Sequence, residues 1–140
     1  MTRPRPSFRP ILYLCVFGAA VRMAATSFPV LPIDTIFAPG TYPAWAALAL
    51  ASPLLALLSW WLVHHCQGAW RYRGLWFRLA ADAGVFTVVL AYHITVVTVN
   101  PPSDLRLMSR YIVAATLLYL IGLIISDVTA LVRTERIARG

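Results

Sequence analysis

The amino-acid sequence predicts an all-α integral membrane protein: one domain of four transmembrane helices, bundled, with both termini on the cytoplasmic side. Three observations lead there. Charge is scarce, at 12% of residues with 60% hydrophobic, where a soluble domain carries roughly 25% charge to cover its surface. The few charges interrupt four apolar runs of spanning length. Arginines gather at alternate ends of those runs.

The runs place spans at about 10–29, 43–65, 78–99 and 109–132. Arg22 is the only charge between Arg9 and Asp34, none falls between Asp34 and Arg71, and Asp127 is alone between Arg110 and Arg133. About 20 mostly apolar residues cross roughly 30 Å of hydrocarbon as a helix. Lipid offers unpaired backbone groups no partner, and the runs lack the alternation of barrel strands. "PVLPIDTIFAPGTYP" and "NPPSD" are connections, because Pro and Gly cannot continue a helix. Before the first span, "RPRPSFRP" followed by "ILYLCVFGAAV" is similar to a secretory signal. Arg22 stands just ahead of the one small-residue cleavage site, "MAA", and Leu14 precedes Cys15 where a lipoprotein signal wants a small residue. The first span is therefore expected to be retained.

Orientation follows the arginines. Arg3, Arg5 and Arg9 precede the first span, Arg71, Arg73 and Arg78 lie between the second and third, and Arg133, Arg136 and Arg139 follow the fourth. The loop at 29–42 has none, and the 100–109 loop has only Arg106. The positive-inside rule puts both termini and the middle loop in the cytoplasm of a bacterial inner membrane. Trp70, Tyr72 and Trp76 are expected at the inner interface, and Tyr42, Trp45 and Tyr111 at the outer one. All 12 basic residues are Arg, which the codon usage of a GC-rich genome explains. The formal net charge of +7 and the segment "WRYRGLWFR" find their partner in anionic headgroups, not nucleic acid. Cys15 and Cys66 are too few for a disulfide framework and read as reduced thiols.

Ionisable residues inside spans are costly and are the first candidates for function. There are four: Arg22, Asp82, His93 and Asp127. At a rise of about 1.5 Å per residue, Asp82 lies about 6 Å from Arg78 and Asp127 about 9 Å from Arg133, so the aspartates share an inner level. Their expected partners are Arg78, Arg133 and the His64/His65 pair. Arg22 and His93 share another level, about 20 Å from their inner anchors. The inner cluster is either interfacial pairing near the headgroups or the lining of a hydrated path or oligomer contact. Small-residue steps at Ala80/Gly84, Ala47/Ala51 and Gly122/Ser126/Ala130 suit close helix approach, within one chain or between chains. Pro53 is expected to kink the second span.

Chemical readings fare poorly. "HHC" at 64–66 points three side chains in different directions on a helix, and no second cluster completes a zinc site. His93 and His64 or His65 differ in depth by close to the hydrocarbon thickness and cannot share a haem, and no CxxCH occurs. Nucleophile-elbow, zincin, P-loop and dinucleotide motifs are all missing from the sequence. No cofactor and no enzymatic activity are expected.

The chain resembles small holin-like membrane proteins of tailed phages of GC-rich bacteria. The features that carry the resemblance are "MTRPRPSFRP" leading into a span, the basic turn "WRYRGLWFRLAAD", and a last span ending in "LVRTERIARG". The likeness is architectural and transfers no residue role. It implies a protein that accumulates in the cytoplasmic membrane, forms homo-oligomers and opens lesions that release an endolysin. Asp82 and Asp127, then Arg22 and His93, are the candidates for lining or gating such an opening or holding subunits in register. Two other functions stay open: a non-enzymatic accessory subunit of a larger membrane complex, and a small channel or transporter.

Overall fold

The computed structural model describes residues 8–26, 41–99 and 104–139, all but Phe8 and the short turn after His65 helical. The helices are α1 (Arg9–Thr26), α2 (Thr41–His65), α3 (Ala69–Val99) and α4 (Asp104–Arg139). Among the described residues, three stretches are long and apolar enough to cross a membrane: Thr41–His65, Ala69–Thr95 and Arg110–Arg136. Among the described residues, the 18-residue α1 is the shortest of the four helices. The Pro-rich connection between the first two spans and the "NPP" of the third connection lie outside the described residues.

The middle connection differs from expectation. Sequence reading made 66–77 a loop, but α3 begins at Ala69 and runs 31 residues. "WRYRGLWFR" is thus the first turns of a helix, because Trp, Arg and Leu are all tolerable helix formers. The turn shrinks to Cys66–Gly68, with Gly68 left-handed at φ 60°, a conformation glycine takes without a Cβ clash. α4, at 36 residues, likewise outruns its predicted span at both ends.

α2 and α3 form an antiparallel hairpin that closes on small residues. A Cβ on Gly84 would stand 2.2 Å from Ser52 Oγ, and one on Gly74 would stand 3.0 Å from Leu62 Cβ. Ser59 Oγ donates to the Gly74 carbonyl at 2.8 Å, and the Trp45 indole donates to the Val88 carbonyl at 3.1 Å. Trp45 therefore serves the interior, 8% exposed, and not the outer aromatic belt. The reason is the small residues beside it: Ala20 of α1 and Ala49 leave room for an indole against Val88.

A second apolar cluster joins α1, α3 and α4 through Tyr13, Ala81, Val85 and Leu120. Of the small-residue steps, Gly84 is used between helices, whereas Ala47, Ala51, Ala80, Gly122, Ser126 and Ala130 all face outward. Leu118, Ile121, Ile125 and Val128 share that outward exposure on α4. Lipid is the solvent that accepts such a surface.

The hairpin contact yields a test. Gly84→Ala should cost about 1–3 kcal/mol, the usual penalty for overpacking. The Ser52→Gly/Gly84→Ala pair should recover most of it. Thermal loss of helicity in detergent reads both, and a single variant as stable as the parent would contradict the close approach.

Candidate functional site: a buried ionic cluster

The site is built from three helices that meet part-way along the bundle. α1 contributes Arg9 and Tyr13, α3 contributes Arg78 and Asp82, and α4 contributes Asp127. On α1, Arg9, Tyr13, Val16 and Ala20 recur at helical spacing, so they share one face, and that face points inward. On α3, Arg78 and Asp82 are one turn apart; Ala81, Asp82 and Val85 are all buried.

Arg9 is the centre. Its Nη2 lies 2.9 Å from Asp82 Oδ2 and 3.3 Å from each carboxylate oxygen of Asp127. Arg78 Nε approaches Asp127 Oδ1 at 3.2 Å from the other side. The Tyr13 hydroxyl donates to Asp82 Oδ1. Two guanidinium groups thus face two carboxylates, and the cluster is formally neutral. Burial is deep: the Asp82 side chain is 0% exposed, Asp127 6% and Arg9 10%, while Arg78 keeps 40%.

This arrangement follows from what burial demands. A carboxylate taken from water loses several kcal/mol of solvation unless charged donors replace the water. One arginine with two partners, one tyrosine and a second arginine supply those donors. Charge-assisted contacts of this kind are the stronger class of hydrogen bond.

The level of the cluster can be placed along α2. Gly84 faces Ser52 and Gly74 faces Leu62 and Val63, so Asp82 lies opposite Leu54–Leu55, near the middle of α2. His65, about eleven residues on, is then about 16 Å further toward the basic end. Trp60, Trp61, Trp70 and Trp76, all more than half exposed, lie between the cluster and that end or at it. The expectation that Asp82 lies near the headgroups rests on Arg78 as an interfacial anchor. In the structure Arg78 is itself drawn inward by Asp127.

The expected partners divide. Asp82 and Asp127 do meet at one level, and Arg78 is a partner. Arg133 is not in the cluster; it is exposed on α4, as is Arg136. His64 and His65 are not partners either: His64 Nδ1 donates to the Trp60 carbonyl at 2.8 Å, and both rings pack on Trp60. Arg22 is exposed near the far end of α1, and His93 is half-buried on α3 with a buried Nδ1 that makes no hydrogen bond among the described residues. Arg71, Arg73, Trp70 and Trp76 stay on the surface, with the Arg73 guanidinium 4.7 Å over the Trp70 ring.

Sequence reading missed Arg9 and Tyr13. Arg9 was taken with Arg3 and Arg5 as a headgroup anchor. The signal that distinguishes it is the i, i+4 pairing with Tyr13 on the face that also carries Val16 and Ala20.

Breaking this cluster from one side should be worse than removing it. Arg9→Met, which takes the cation from Asp82 and leaves Asp127 with Arg78, should cost about 3–5 kcal/mol. Arg9→Met combined with Asp82→Leu and Asp127→Leu should cost clearly less. Tyr13→Phe should cost about 1–3 kcal/mol, the loss of one donor to a buried acceptor. Denaturation of the purified chain in mixed micelles measures each, and strict additivity would argue against a single coupled cluster. The chain matches no protein-family model, no curated protein and no solved structure.

Proposed function

We propose that this chain is a four-span protein of a bacterial cytoplasmic membrane, with both termini inside, that oligomerises and permeabilises the membrane as a holin does. The observation that carries the reading is the closure of α1 over Asp82 and Asp127. Charged groups within spans are expensive and mark function by default. Here two of them are covered by Arg9 and Tyr13 of the shortest helix. If α1 moves aside, two carboxylates face a gap between helices that hydrocarbon cannot solvate and water can. Several copies meeting at that gap would line an aqueous opening. The exposed small residues Gly122, Ser126 and Ala130 on α4 suit close contact between copies.

A second reading also has an observation in its favour. With its charges paired inside one chain, the closed bundle turns a largely apolar surface outward, including Leu57, Ile112, Leu118 and Ile125. That surface suits a non-enzymatic accessory subunit packed into a larger membrane complex.

Inducible expression with a potential-sensitive dye separates the two. Permeabilisation should follow accumulation abruptly, and Arg9→Gln or Tyr13→Phe should bring it forward by loosening α1. An intact potential at high expression would sink the holin reading, and a stoichiometric larger partner on purification would support the accessory one.

Orientation has its own test. In a Cys15→Ser background, Cys66 in the α2–α3 turn should resist an impermeant thiol reagent in intact spheroplasts and react after lysis. Labelling of intact spheroplasts would invert the topology.

A further inference from the structure

Beside the ionic cluster, between α1 and α2, opens a crevice of about 750 Å³. That volume falls in the roughly 300–1,000 Å³ range of sites that hold small molecules. Its walls are apolar: Leu14 and Phe17 from α1, Leu54 and Leu57 from α2. Leu14, Leu54 and Leu57 are each more than half exposed, so the crevice is open sideways to whatever surrounds the bundle. Pro53 also lines it.

The polar lining has one sign. Arg9, Arg78 and His64 border the crevice, and neither Asp82 nor Asp127 does. The cluster is neutral as a whole, but it turns its cations to the crevice and its anions to the interior. Arg78 engages Asp127 through Nε while 40% of its side chain remains exposed. Trp60, whose indole suits the boundary between apolar and wet surroundings, stands beside His64 in the same lining.

We propose that this crevice is a binding site for an anionic phospholipid drawn from the bilayer. Charge complementarity selects the headgroup: the phosphate sits at Arg78, the half-exposed cation of the lining. Apolar complementarity selects the rest. Along α2, Leu57 and Leu54 lie seven and ten residues before His64, about 10 and 15 Å away, where an acyl chain passes from its ester into hydrocarbon. A soluble anion leaves those walls bare, and a zwitterionic lipid gains less from the arginines. The site rests on membrane insertion alone and not on permeabilising activity.

The experiment is native mass spectrometry of the full chain released from detergent, titrated separately with phosphatidylglycerol, phosphatidylcholine and inorganic phosphate. Phosphatidylglycerol should be retained about tenfold better than phosphatidylcholine, in keeping with the attraction of basic residues for anionic lipid. Arg78→Gln should reduce that preference about fivefold. Leu57→Trp, on an exposed wall, should narrow the crevice where an acyl chain would pass and weaken both lipid adducts while leaving helix content unchanged. This second variant keeps the test decisive if Arg78→Gln impairs folding. Equal retention of the two lipids, adducts undiminished by Leu57→Trp, or displacement of lipid by equimolar inorganic phosphate would each overturn the proposal.

Discussion

Two carboxylates inside a helical bundle must find cations or the bundle cannot close. Asp82 and Asp127 come from different helices, and both find Arg9 Nη2. The rest of the structure is arranged around that constraint. α3 and α4 must pack with their aspartates at one level, and α1 must enter with its first turn at that level. Tyr13 adds a donor one turn later. Each ion alone would carry a desolvation cost of several kcal/mol, so the cluster forms as a unit. It also fixes the register of three helices that otherwise present one another mainly Ala, Val and Leu, a role buried ionic groups can serve.

The α2–α3 hairpin obeys a different rule. Its closure depends on what is missing: side chains at Gly74 and Gly84, and bulk at Ser52 and Ser59. Helices in lipid gain nothing from hiding apolar surface, because the surroundings are equally apolar. They gain from close approach and from hydrogen bonds such as Ser59 to Gly74. The same physics explains why Trp45 is inside. An indole in lipid still needs an acceptor for its N–H, and the Val88 carbonyl supplies it.

The two proposals, permeabilisation and lipid binding, both draw on α1. One side of α1 is held by ions and Tyr13, while the side toward α2 borders a crevice with a cationic end. Further along, α1 packs on α2 through Val16 and Ala20 against Trp45 and Ala49, so the crevice opens beside the first half of α1. An anionic lipid in the crevice would draw on Arg78 and so bear on the contacts that keep α1 in place. Membrane composition and the stability of the closed bundle are then linked through the same guanidinium groups.

Much of this was legible in the sequence, and the boundary is physical. Apolar run lengths determined the helical class and placed α2 nearly to the residue, because lipid imposes helix on any long uncharged stretch. Helical rise alone brought Asp82 and Asp127 to one level with Arg78 beside them. What local pattern could not assign was partnership across the chain. Arg9 and Asp127 are 118 residues apart, and Tyr13 and Asp82 are 69 apart. An arginine at the start of a span looks the same whether it faces headgroups or turns inward. Only the packing of α1 against α3 and α4 decided it, by offering two buried carboxylates that lipid could not solvate and one guanidinium could.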